Sequence, residues 1–228
     1  PPPPPPPTLM SCRRQRQMCI RDRGEVTLVS MAPGNETSGL RTALAMGAAK
    51  AILVSDDALA GSDALGTAKV LAKAIQRAEP DLVLAATESS DGYTGTVPEQ
   101  VAELMGVPSV TFAKAIEADG GQVKVQRQTE LGYDDVECPL PALVSVTAGV
   151  VEPRYPSFKG IMAAKSKPVD ELTVGDLGLS ADDVGWAGGG QQIVEVADAP
   201  AREAGEVIED EGDAHEKIIQ FLDELKVL

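Results

Sequence analysis

The sequence predicts an α/β fold: a parallel sheet alternating with helices in the first half, a β-rich second half, and a C-terminal arm. Three observations predict it. Short apolar runs recur between amphipathic stretches up to Gly106, the rhythm of right-handed βαβ units. After Pro108 the pattern changes to alternating, turn-rich sequence. Three consecutive glycines, Gly188 to Gly190, then precede an acidic run and a closing amphipathic segment.

VTLVSM (residues 26–31) is the first predicted strand. Ala32-Pro33-Gly34 turns the chain, and Asn35 can cap a helix to about Met46 with Leu40, Ala43 and Leu44 inward. AILV (residues 51–54) is the second strand. Gly61-Ser62-Asp63 leads into a helix whose inner face includes Leu65, Ala68, Leu71 and Ile75. DLVLAA (residues 81–86) has the continuous apolar character of a strand buried on both faces. Residues 110–116 and 122–129, joined by Asp119-Gly120-Gly121, form a hairpin; residues 132–138 and 143–147 supply further strands. Residues 170–184 are polar with scattered apolar residues, and residues 185–192, with Trp186, form a linker. Residues 193–204 are extended, with a break at Pro200. Residues 213–225 form an amphipathic helix carrying Ile218, Ile219, Leu222 and Leu225.

Composition narrows the function classes. The formal net charge is −15, which disfavours free nucleic acid and anionic membranes as partners. No apolar run approaches a membrane span, so direct membrane insertion is not expected. Of three cysteines only Cys138 lies in the body of the chain, which excludes a disulfide framework and points to a reducing compartment. The single histidine, His215, sits in the acidic tail and reads as a solvated residue, so histidine catalysis and metal binding are not expected. Residues 1–23 combine seven prolines with five arginines and one acid, lack any apolar period, and read as a non-native or disordered head.

The stretch at residues 81–108 carries the chemistry. It reads as strand, loop, helix, and such a loop gathers backbone amides at a helix N-terminus, where an anion is favoured. Thr96 and Glu99 have capping-box spacing, Pro98 fits the first turn, and Gly106 with Pro108 ends the helix. Val97, Val101, Leu104 and Met105 form its apolar face. The loop is neither GxGxxG nor a P-loop, and it contains Glu88 and Asp91. By pattern alone, a nucleotide cradle and a plain βα connection both fit. In residues 150–172, Phe158 is a large apolar residue in a polar loop beside a short helix with Ile161, Met162 and Ala164. Lys165 and Lys167 add a basic cluster to an acidic chain. A buried anchor and an aromatic offered to a partner are the two readings there.

ALAMGAAKAILV (residues 43–54), DLVLAATESSDGYTGTVPEQVAELMG (residues 81–106), LPALVSVTAGVVEPRYPSFKGIMAAKSKP (residues 140–168) and the closing helix resemble the beta (small) subunits of electron transfer flavoproteins. EPRYPSFKGIMAAK is the most specific segment, and the likeness runs from about Glu25 to the C-terminus. The resemblance implies a Rossmann-like doubly wound parallel sheet of the adenine-nucleotide-binding type over residues 24–184, and an arm over residues 185–228 that packs on the alpha subunit. It implies a heterodimer with one FAD, shared with and held largely by the alpha subunit, and a structural AMP in the small subunit. Onto the AMP-binding stretch it carries Ala86, Thr87, Glu88, Ser89, Ser90, Asp91, Gly92, Tyr93, Thr94, Gly95, Thr96 and Val97, and to a further AMP contact Met31. Onto the loop that docks partners it carries Glu152, Pro153, Arg154, Tyr155, Pro156, Ser157, Phe158, Lys159 and Lys165. The implied role is an electron carrier without catalytic residues, in the bacterial cytoplasm or, in a eukaryote, the mitochondrial matrix. Acyl-CoA and related dehydrogenases would supply its electrons and a quinone oxidoreductase would take them. A stand-alone adenine-nucleotide sensor and an electron-bifurcating relative with a second FAD are the alternatives.

The sequence departs from the family in one respect. Family members begin with a strand that lies beside the one at Asp81, and residues 1–23 contain nothing like it. The expectation is a sheet with a gap, its backbone groups unpaired.

Overall fold

The computed structural model describes residues 24–33, 37–89, 92–119, 121–151, 155–191, 193–195, 197 and 212–226. The chain divides into one unit over residues 1–192 and a second over residues 193–228.

The first unit opens with β1 (Thr27–Met31), α1 (Ser38–Ala45), β2 (Lys50–Val54), α2 (Ala64–Gln76), β3 (Leu82–Ala86) and α3 (Val97–Met105). It continues with β4 (Ser109–Asp119), β5 (Gln122–Thr129), β6 (Gly132–Pro139), β7 (Ala142–Val146), α4 (Phe158–Ala164), β8 (Val169–Leu172) and the one-turn α5 (Gly185–Gly188). The predicted α/β alternation is present, and so is the β-rich second half.

These strands form two sheets. One is parallel, in the order β1-β2-β8. The other runs β3-β7-β4-β5-β6, parallel through its first three strands and antiparallel thereafter. Among the described residues β1 pairs only with β2 and β3 only with β7, so each presents one open edge. Burial follows the pairing: the interior of β2 and most of β7 are fully buried, whereas β1 is half-buried throughout.

One helix serves both sheets. Val70 and Ala74 of α2 pack with Ile52 and Val54 of β2. Ala68 and Ala72, on the adjoining face, pack with Val101 and Ala102 of α3 and Leu143 of β7. A helix covered on two sides needs small residues over a wide arc, which explains why Leu65, expected inward, is exposed and why alanines take its place. On α3, Leu104 is likewise exposed, and Ala102 is buried in its stead.

β8 runs through polar sequence, VDEL, in which no strand was predicted. It is an edge strand, paired with β2 alone among the described residues, and its Asp170 and Glu171 remain exposed. Residues 185–192, expected as a linker, include α5, and that turn is docked: the Gly185 amide donates to Ser62 Oγ at 2.9 Å and the Gly190 amide to Asp63 Oδ2 at 2.8 Å. The Trp186 ring covers Gly61 so closely that a Cβ there would lie 2.1 Å from it.

The second unit contains α6 (Ala214–Glu224), the predicted amphipathic helix, with Ile218, Ile219 and Leu225 exposed and Leu222 half-buried. The extended stretch and acidic run expected before it fall largely outside the described residues.

Candidate functional site

The 86–97 loop leaves the carboxyl end of β3, where Ala86 pairs with Val146 of β7. Thr87 fastens its start, donating to the Val146 carbonyl from both its amide (3.2 Å) and its hydroxyl (3.0 Å). The Gly92 amide reaches Ser89 Oγ and the Tyr93 amide the Ser89 carbonyl, which folds the middle of the loop. Tyr93 and Gly95 both adopt positive φ, 46° and 63°. Glycine does so freely; for Tyr93 it is a disfavoured conformation that the surrounding loop holds. Glu88, Thr94 and Thr96 are exposed or partly so, while Ser90 and Asp91 lie outside the described residues.

At the helix the structure corrects one expectation. Thr96 is the N-cap of α3 but makes no side-chain cap; its hydroxyl accepts instead from Gln100 Nε2 at 3.2 Å. Its φ of −122° and ψ of −10° differ from the extended geometry of a capping residue. The first-turn amides are therefore left without a side-chain acceptor. Next to them, Glu99 Oε2 and Gln100 Oε1 are buried with no hydrogen-bond partner among the described residues. Unsatisfied buried acceptors in a native fold call for a donor.

Met31 ends β1 in the other sheet and packs, half-buried, against the cluster of Ile52, Val54 and Val70. It and the loop thus stand at the carboxyl ends of parallel strands in separate sheets.

The 152–165 segment forms a different surface. Glu152, Pro153 and Arg154 lie outside the described residues. Ser157 caps α4, its Oγ accepting from the Gly160 amide at 3.1 Å. Phe158 is 82% exposed and Tyr155 94%, with Ile161 and Met162 about half-exposed around them. Phe158 is thus exposed and not a buried anchor. Lys159 and Lys165 are exposed, Pro156 half-buried.

Lys167 behaves otherwise. Its ammonium donates to the carbonyls of Leu44, at 2.9 Å, and Ala48, closing the C-terminal end of α1. No local pattern signals this, because the partner carbonyls are more than a hundred residues away. Arg41 was missed for the same reason: it reaches from α1 to the Ala164 and Lys167 carbonyls. Asp63, read as a helix start, also holds Gly190; the two amide donors, Gly66 and then Gly190, draw its pKa below the ordinary carboxylate range. Burial pushes the Cys138 thiol up, which favours its inert, protonated form. No group of three or more metal-ligating side chains occurs among the described residues.

A parallel three-stranded sheet, a mixed five-stranded sheet, a hydroxyl-rich βα loop and a helix with an exposed aromatic define the class, an α/β domain. A family model described as "Electron transfer flavoprotein domain" matches residues 14–177. "Electron transfer flavoprotein subunit beta" of Mycobacterium leprae is 41% identical over 216 residues, covering 94% of this chain and 81% of its own. Proteins of the same name from Thermoanaerobacterium thermosaccharolyticum and Methylophilus methylotrophus are 38% and 36% identical, over 81% and 89% of this chain and 71% and 78% of their own. The chain belongs to the electron transfer flavoprotein family, among its beta subunits. Pairing with an alpha subunit and involvement of a flavin follow at that level.

Proposed function

We propose that this chain is the small subunit of a heterodimeric, FAD-containing electron carrier that receives electrons from acyl-CoA and related dehydrogenases and passes them to a quinone oxidoreductase. The observation that carries the docking part is Phe158, almost wholly exposed at the start of a helix whose Ile161 and Met162 are also uncovered. Exposed aromatic and methionine side chains grouped this way are the usual makings of a partner anchor. No residue of this chain does acid–base or nucleophilic work in this reading; its share is to complete the flavin site and to dock partners.

We further infer that the 86–97 loop holds a structural AMP. The residues present fit one. The uncapped first turn of α3 offers amides suited to a phosphate, and the dipole of α3 adds to them. The unpartnered Glu99 Oε2 and Gln100 Oε1 are acceptors suited to amino or hydroxyl donors of a nucleoside. A buried nucleotide held by amides and hydroxyls needs no lysine. Glu88, whose Oε2 lies near Gly95, would serve as a hydroxyl acceptor and not face the phosphate.

The test is co-production with an alpha subunit and analysis of what is bound. A yellow heterodimer with one FAD and one AMP is expected. Two flavins would make this the bifurcating type, and a colourless homo-oligomer holding ATP would make it a sensor domain. For docking, Phe158→Ala is expected to weaken dehydrogenase-driven flavin reduction about tenfold or more at limiting carrier, as for loss of a central aromatic contact. Unchanged kinetics would remove Phe158 from that role.

A further inference from the structure

We propose that Arg41 is a positioning residue for the docking helix: by gripping the C-terminal carbonyls of α4 it sets the direction in which Phe158 is presented to a partner. The inference rests on the docking role proposed above.

α4 has seven residues, too few to hold a helix by backbone bonds alone. Packing does little to orient it, since Ala164 is its single buried residue and its large apolar side chains face outward. What fixes it comes from α1 and is polar or steric. Arg41 Nη1 donates to the Ala164 carbonyl at 2.9 Å and the Lys167 carbonyl at 3.0 Å. Lys167 Nζ returns to the Leu44 and Ala48 carbonyls. N-terminal to these bonds the helices touch at Gly160, where an added Cβ would come within 2.3 Å of the Ala45 carbonyl oxygen. The helix therefore has a pivot at Gly160, a grip at its C-terminal end, and Phe158 at the opposite end.

A lever of this form converts loss of the grip into misplacement of the aromatic. Arg41 is suited to the task because its planar guanidinium keeps a fixed geometry toward its acceptors, which a flexible ammonium does not. Arg41 itself reaches away from Phe158, to the far end of the helix, so its effect on a partner passes through the helix.

The experiment uses the FAD-loaded heterodimer as electron acceptor for medium-chain acyl-CoA dehydrogenase with octanoyl-CoA. Arg41→Ala is expected to raise the KM for the heterodimer about fivefold, with kcat within about twofold. The same substitution in a Phe158→Ala background is expected to add almost nothing, because the side chain it positions is gone. Gly160→Ala, which pushes the helix off its pivot, should show the same KM rise and the same non-additivity. Arg41→Lys should restore part of the loss. If Phe158→Ala raises KM but neither Arg41→Ala nor Gly160→Ala does, the positioning role is refuted and docking stands. If Phe158→Ala is itself silent, the docking reading fails and this inference with it. Equal increments in both backgrounds, or a fall in kcat alone, would refute positioning. Should Arg41→Ala not assemble, Gly160→Ala and Arg41→Lys decide by the same criteria.

Discussion

Arg41 and Lys167 tie α1 to the chain at the end of α4. Arg41, on α1, donates to the Lys167 carbonyl at 3.0 Å, and the Lys167 ammonium donates to the Leu44 carbonyl of α1 at 2.9 Å. A cation at each helix C-terminus answers both the orphan carbonyls and the dipole. The two lysines of the KSK segment are thereby assigned different work, since Lys165 points into solvent and Lys167 does not.

That difference is measurable. Lys167→Met should lower the melting temperature of the heterodimer, by an amount corresponding to about 1–3 kcal/mol for a charge-assisted bond to buried carbonyls. It should leave the salt dependence of partner association unchanged. Lys165→Met should do the reverse, flattening the salt dependence with little effect on stability. Stopped-flow association at several ionic strengths, beside calorimetry, separates the two.

Gly61 and Trp186 offer a spectroscopic handle, because Trp186 is the only tryptophan. Gly61 has φ +79°, and a Cβ would overlap the indole. Gly61→Ala is therefore expected to displace the ring, raise its accessibility to acrylamide quenching and cost about 1–3 kcal/mol from strain and lost packing. Quenching identical to the wild type would show that the ring is not seated on Gly61.

Asp63 should impose a pH dependence. Its pKa is depressed by the Gly66 and Gly190 amides, so the stabilisation it gives is complete above the unfolded value of about 3.9. It is lost as pH falls from there through the lower folded value. Acid titration followed by Trp186 fluorescence should show release of the α5 turn in that range. Asp63→Asn, which can still cap α2, should flatten this transition at a cost of at most about 1 kcal/mol at neutral pH. A transition unmoved by the substitution would assign it to other groups.

The open edges of β1 and β3 predict that the chain produced without a partner shows no cooperative thermal transition. Among the described residues these two strands each have one unpaired side, which leaves backbone groups without sheet partners and invites association. A sharp, reversible transition of the monomer by calorimetry would refute this.

The sequence by itself determined the alternation of strands and helices, because burial periodicity is a local property: VTLVSM, AILV and LVSVT appear as β1, β2 and β7 with shifts of one residue at their ends. It likewise determined the hairpin at Gly121 and the left-handed C-cap at Gly106, whose backbone demands are met within a few residues. The resemblance that named the family also lay in contiguous segments. The tertiary structure decided the rest. β8 was invisible because a strand paired on one side can keep polar residues. Leu65 turned outward because α2 is enclosed by two layers that no single helix pattern reveals. Thr96 declined its cap because the loop before it reached the helix in another conformation. Arg41, Lys167 and the Asp63–Gly190 bond join residues more than a hundred positions apart, and only the folded chain brings a donor within hydrogen-bond distance of such an acceptor.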